Sequence, residues 1–250
     1  MAKLHRAIEL LAVPGALRSA LTWKKFSLAA YQILLRLNEA GVKPATVIDI
    51  GANVGQFSVA AGHLLPAAVI HPVEPDPATA ERLRDNLPAR IASNIVVSAI
   101  GDRIGSVDFQ VNSDSQVSSV LALGEGRKHA FPGDSVQKTM RVPLTTLDAL
   151  FAGKPLVAPV LLKIDVQGYE DRVIEGASQL LHSVRWIVME LSFARLYEGE
   201  KDFPGMLEMM NKRGFRFVRP LDFHTSGKTG AIIEMDALFE NVAMATHLPQ

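Results

Sequence analysis

The segment 46–65 constrains the fold more than any other. Thr46-Val47-Ile48-Asp49-Ile50 is a β-branched run that breaks at once into Gly51-Ala52-Asn53-Val54-Gly55, and a helical stretch follows to Leu65. A strand that passes through a glycine turn into a helix opens a β-α unit. The rhythm returns at 68–87, where a strand yields to a helix after Pro77. It returns again at 160–181, where an apolar strand leads through Asp165 into a helix from 169. Further strands are expected over 94–100, 184–190, 215–218 and 235–244, with short extra ones over 107–111 and 139–143 and a helix over 203–213. Apolar strands alternating with helices predict an α/β fold, a mostly parallel sheet with helices on both faces.

Of the 250 residues, 48% are hydrophobic, enough for one sizeable core. The formal net charge is zero, which argues against a nucleic-acid partner. With no cysteine, disulfides, thiolate metal ligands and cysteine nucleophiles are excluded, and a cytoplasmic location is expected. No apolar run is long enough to span a membrane. Glu9 and Pro14 interrupt the apolar stretch after Lys3 and Arg6, which reads against a signal peptide. Charge is uneven: residues 1–43 hold seven Lys/Arg and two acids. Leu4, Ile8 and Leu11 share one helical face, and Phe26, Ala30, Ile33 and Leu37 another, before Gly41 and Pro44 end the run. Residues 1–43 therefore read as an N-terminal helical cap on a main domain over 44–250, and their positive charge suits an anionic partner or peripheral contact with a membrane surface.

In open α/β sheets, ligands sit beyond the carboxyl ends of the strands. The first such end reads G-x-N-x-G, not the dinucleotide fingerprint G-x-G-x-x-G. Gly51 and Gly55 let a ligand approach the backbone, and Asn53 tolerates left-handed angles. Asp49, two residues before Gly51, favours a cationic group such as an ammonium. Glu74 follows the next strand, where an acid can accept hydrogen bonds from both hydroxyls of a ribose. Alone, Glu74 also fits a helix cap and the glycines a tight turn. In this order they describe a nucleoside with an amino-acid tail, the parts of S-adenosylmethionine.

Four stretches carry a resemblance: VIDIGANVGQF (47–57), Val73-Glu74-Pro75, VPLTTL with Asp148 (142–148) and, most specific, LLKIDVQGYEDRVIEGA (161–177). Together they resemble the FkbM family of class I S-adenosylmethionine-dependent methyltransferases, and Ser118-Ser119 and Val188-Met189-Glu190 look like family positions. The resemblance spans 45–245. It implies a Rossmann-like sheet with a late antiparallel strand over 238–244, and methyl transfer to a hydroxyl of a sugar, glycolipid or secondary-metabolite scaffold. Gln167 departs from the Glu of many relatives, which removes an acid from that position.

Asp165 ends an apolar strand on the expected ligand side and is the acid expected closest to the reaction, as base, hydroxyl anchor or orienter, with Glu190 second. Lys163 alternates with Asp165, points to the same side and can pair with it; a purely structural ion pair is the competing reading. Glu190 also fits a loop cap. At the adenine, the candidates are Asp102, which equally fits a turn acid, and the backbone at Ser98 and Ala99. His224 stands in an expected late loop that can face the substrate, and His129 similarly in the polar stretch 112–135; an exposed loop histidine is the competing reading for both. No spacing such as H-E-x-x-H points to a metal, and no G-x-S-x-G elbow points to a hydrolase. The Ser- and Gly-rich stretch 112–135 is expected to act as a lid. Two alternatives remain: a nicotinamide-dependent oxidoreductase, disfavoured by the missing fingerprint, and a non-catalytic nucleoside-binding module, disfavoured by the intact acids and glycines. Nothing in the sequence fixes the oligomeric state.

Overall fold

The computed structural model describes residues 11–131, 133–226 and 229–245, without the side chains of 129 and 130. Lys3, Leu4, Arg6, Ile8, Glu9 and the side chain of His129 lie outside that description. Nine strands run through the described residues: β1 Thr46–Ile50, β2 Val69–Val73, β3 Ala99–Ile100, β4 Gly105–Asn112, β5 Val136–Thr145, β6 Val160–Ile164, β7 Val184–Ser192, β8 Phe215–Thr225 and β9 Ile232–Asn241. Six form one sheet in the order β2-β1-β6-β7-β9-β8, in which β9 alone runs opposite to the other five. The late antiparallel strand is therefore present, starting earlier than expected and ending at Asn241.

The strand expected over 94–100 does not join that sheet. Val96 makes one isolated parallel bridge to Val73, and Ala99–Ile100 pairs instead with β5 in a small sheet ordered β3-β5-β4. Pro72 accounts for the near end of the break: its carbonyl accepts from Val96 N at 3.0 Å, so its nitrogen faces the same edge and has no hydrogen to offer residue 94. Past Val96 the pairing stops because β2 itself ends at Val73. The helix expected over 169–181 is also shorter. It spans Glu170–Glu175 and stops where Gly176 packs on Gly101, a Cβ there falling 1.9 Å from Gly101 O. Asp148 then accepts from Gln179 N and Leu180 N and caps the 3-10 turn Leu180–Ser183.

Side-chain alternation splits the core in two. Ile48, Ile50, Leu162, Ile164 and Ile187 face one cluster, with the helices Leu147–Phe151 and Phe203–Lys212 over it. Val47, Leu161, Val188 and Leu238 face the other, under the helices Leu28–Glu39 and Gln56–Leu64. Neighbours in one strand thus bury in opposite directions, as in a parallel strand covered on both sides. The first helix of that second layer comes from the N-terminal segment. Its Ala30, Ile33 and Leu37 are buried as the periodicity predicts, with Leu34 buried beside them, whereas Phe26 precedes the helix and is half-buried; Ser27 Oγ caps the helix by accepting from Ala30 N. Leu11 remains exposed.

Candidate functional site

A cavity of about 310 Å³ opens at the carboxyl ends of β1, β2, β6 and β7. Its first wall is the turn after β1. Gly51, Asn53 and Gly55 take φ of 76°, 49° and 97°, the left-handed region that Gly and Asn tolerate. Gly51 also answers a packing demand, since a Cβ there would sit 1.8 Å from Asp165 O. Asn53 N donates to Glu74 Oε2 at 2.9 Å, and Asp76 N donates to Glu74 Oε1 at 3.0 Å. These bonds fix the Glu74 carboxylate beside the turn. Burial nevertheless pushes it up to about 7, against the two hydrogen bonds. Ser98, Ala99 and Ile100 continue this wall.

The strand period sets the opposite wall. Residues 161, 163 and 165 alternate to one face, and 186, 188 and 190 to the same face of β7. Lys163 Nζ lies 3.2 Å from Asp165 Oδ2 and 3.3 Å from Asp49 Oδ1. Burial would lower this ammonium, but the two carboxylates outweigh it and hold it above its usual range. The pairing of Lys163 with Asp165 follows the alternation read from the sequence. Gln167, at a left-handed φ of 59°, donates its two amide hydrogens to Asp165 Oδ1 at 2.9 Å and Glu190 Oε2 at 2.7 Å. Its Oε1 accepts from Tyr197 Oη at 2.6 Å. An amide is the side chain that can do this: a Glu at 167 would set a third carboxylate against two others. Loss of water pushes Glu190 well above its ordinary value, helped by Glu234, Asp165 and Asp236.

Six of the nine predicted site residues line the cavity: Gly51, Asn53, Glu74, Ala99, Asp165 and Glu190. Three do not. Asp49 is fully buried behind the turn, where Ser58 Oγ donates to its Oδ2 at 2.6 Å and Lys163 neutralises it, because the β1–β6 register sets it beside Lys163. It is therefore not placed to meet a ligand's ammonium. Gly55 opens the helix Gln56–Leu64 and faces Leu83, which a Cβ would approach to 2.9 Å. Asp102 turns away to pair with Arg103 at 3.0 Å.

Other lining residues were not foreseen. Arg127, 6% exposed, donates to Asp134 Oδ2 at 2.7 Å and lies over Phe131. Glu234 and Asp236 come from β9, and Ala30 and Ile33 from the N-terminal segment. His224 is not in a loop but in β8, which continues seven residues past the expected end at Val218 through three register shifts. The stretch 112–135 folds over the cavity with a 3-10 turn Ser115–Val117 and a helix Glu125–Ala130. Ser115 Oγ donates to Asn53 Oδ1 at 3.1 Å and ties it to the glycine turn.

A parallel sheet with one late antiparallel strand, and a cavity at its carboxyl ends between a glycine turn and a strand-end acid, is the arrangement of a class I methyltransferase. The profile described as "Methyltransferase FkbM domain" matches residues 49–217, and the chain belongs to that family. It is 30% identical over 175 residues to the 2-O-methyltransferase NoeI of Sinorhizobium fredii, covering 67% of this chain and 72% of that one. It is 24% identical over 170 residues to the hexuronic acid methyltransferase AglP of Haloferax volcanii, covering 68% and 65%. It is 22% identical over 203 residues to the 31-O-demethyl-FK506 methyltransferase FkbM of Streptomyces tacrolimicus, covering 72% and 76%. Family and fold imply S-adenosylmethionine as the methyl donor. No helix among the described residues is long and apolar enough to cross a membrane.

Proposed function

We propose that this methyltransferase moves a methyl group from S-adenosylmethionine to a hydroxyl of a sugar, glycolipid or secondary-metabolite scaffold. The observation that carries the reading is the joint placement of Glu74 and Asp165 on one cavity, with the Gly51 turn packed against the Asp165 carbonyl between them. The chemistry of the lining fits the donor. Glu74 presents a carboxylate already oriented by two backbone amides, suited to the ribose hydroxyls. The backbone at Ser98 and Ala99 suits the adenine edge, and the left-handed turn at 51–53 leaves room for the amino-acid tail. NoeI, AglP and FkbM are named for acting on a 2-O position, a hexuronic acid and the 31-O position of a demethylated FK506, and an oxygen acceptor of that kind is the reading extended to this chain.

S-adenosylmethionine, when bound, supplies a methyl group already activated as a sulfonium. The protein's task is to bring the acceptor oxygen into line, with proximity the largest contribution. Asp165, held between Lys163 and Gln167, accepts the acceptor's O–H hydrogen bond, orients the oxygen and takes its proton as the new C–O bond forms. Gln167 and Tyr197 act as positioning residues. The helix Leu28–Glu39 and the stretch 112–135 keep water from the cavity. Asp165→Asn tests the assignment: the rate of methyl transfer should fall about 10²–10⁴-fold while S-adenosylhomocysteine affinity changes little. Weakened S-adenosylhomocysteine binding with an unchanged saturated rate would make Asp165 a cofactor anchor instead.

A further inference from the structure

The far end of the cavity carries more acid than methyl transfer requires. The register sets Asp222 opposite Asp236 and His224 opposite Glu234 on β8 and β9, and Glu190 opposite Asp236 on β7. Like charges directly opposite each other destabilise a sheet unless something of opposite charge joins them. The nearby cations do not reach Glu190 or Asp236. Arg36 pairs with Asp222 at 3.1 Å, Arg127 donates to Asp134, and Lys163 lies between Asp49 and Asp165. Glu234 is the sharpest case. It is 3% exposed, lines the cavity, and its Oε1 accepts no hydrogen bond, with Arg127 Nη1 4.0 Å away. Its Oε2 faces His224 Nδ1 at 3.8 Å. One donor atom each from Glu190, His224 and Glu234 lies within 4.8 Å of the others. A single ion with bonds of about 2.0–2.6 Å can span that spacing.

We propose that Glu190, His224 and Glu234 hold a divalent cation on which neighbouring hydroxyls of the acceptor are seated. Two carboxylates and an imidazole suit Mn²⁺, Fe²⁺ or Zn²⁺ better than Mg²⁺, which favours oxygen alone. Three protein ligands leave further positions open toward the cavity, where two adjacent hydroxyls can replace water. The cation meets the unbonded Glu234 oxygen, and it separates carboxylates that otherwise face one another across β7, β8 and β9. It also selects acceptors, since a vicinal diol binds a metal in two places and a lone hydroxyl in one.

The seating of the acceptor rests on the methyl-transfer reading; the binding of the cation does not, and it is measured alone. The full chain, stripped with EDTA and free of acceptor, is titrated with Mn²⁺ and followed by electron paramagnetic resonance. One Mn²⁺ per chain should bind, saturating below about 1 mM. His224→Ala and Glu234→Gln should each weaken binding by about 10-fold or more. His224 is half-exposed, so its variant is expected to fold; far-UV circular dichroism and a melting curve establish that for both variants. Absence of saturable binding below about 1 mM, or unchanged affinity in folded His224→Ala, overturns the site. S-adenosylhomocysteine titrated into the same stripped protein separates the two ideas: failure to bind it sinks the methyl-donor reading and leaves the Mn²⁺ result standing.

Discussion

Glu74→Gln probes the donor end of the cavity through proton linkage. Glu74 is 6% exposed and its carboxyl stands at about 7, against 4.5 for an unperturbed one. That gap corresponds to about 3 kcal/mol. The sign follows from which state releases its proton first. Below pH 4.5 both states hold the proton. Between 4.5 and 7 the unfolded chain loses it and the folded chain keeps it, so stability falls by about 3 kcal/mol across that window and is flat above it. Gln removes this term but leaves one of the two amides, Asn53 N or Asp76 N, without an acceptor, at about 1–3 kcal/mol. The variant should therefore be less stable than the parent at pH 4.5, and should recover about 3 kcal/mol relative to it by pH 8. Other carboxyl groups titrate in both proteins and cancel in the difference. Urea unfolding of both at pH 4.5 and 8.0 measures this, and a stability difference constant to about 0.5 kcal/mol would refute the buried, raised carboxyl. The same titration governs the donor. Two ribose hydroxyls need an ionised Glu74, so S-adenosylhomocysteine affinity should fall about tenfold per pH unit below 7 in the parent and stay level in Glu74→Gln.

Gly51→Ala should cost more than 3 kcal/mol or abolish folding, because its Cβ falls 1.8 Å from Asp165 O at a φ of 76°; a variant with parent-like thermal unfolding would contradict the close approach. Leu37→Ala, in the N-terminal helix that shares a core with Val47 and Leu238, should cost about 2–5 kcal/mol in denaturant unfolding, and a change under about 0.5 kcal/mol would mean that the helix is only loosely applied. Hydrogen exchange over 112–135 should slow when S-adenosylhomocysteine is added, since Ser115 is tied to the donor turn; equal, strong protection with and without it would make the stretch a static wall.

Local signals carried much of this fold. The β-branched run before Gly51, the apolar strands at 160–164 and 184–192 and the periodicity around Leu37 each reach their structural outcome through contacts close in sequence or through simple alternation. The Lys163–Asp165 pair was legible because strand alternation is enough to place it. Asp49 was read as a ligand acid because nothing near it in sequence shows the Lys163 that it meets in β6, more than 100 residues later. The third strand was overread because Pro72 denies residue 94 a partner and because Ala99–Ile100 finds its own in β5, more than 40 residues later. Arg127 lies in the stretch read as a lid, but Glu234 and Asp236 had no local mark at all. Their convergence depends on an antiparallel register between β7, β8 and β9, and on bulges that carry His224 into a strand.

The family match ends at both sides before the cavity does. Residues 49–217 supply the glycine turn, Glu74, the Ser98–Ile100 wall, Asp165 and Glu190, whereas Ala30, Ile33, His224, Glu234 and Asp236 reach the same space from outside the match. The cavity is thus a joint product of the matched segment and of the two stretches that flank it. A fixed central segment can keep its chemistry while a first helix and a last hairpin are exchanged around it. Grafting 27–39 and 215–241 from a relative onto this centre is accordingly the smallest transplant that could redirect it to a different oxygen.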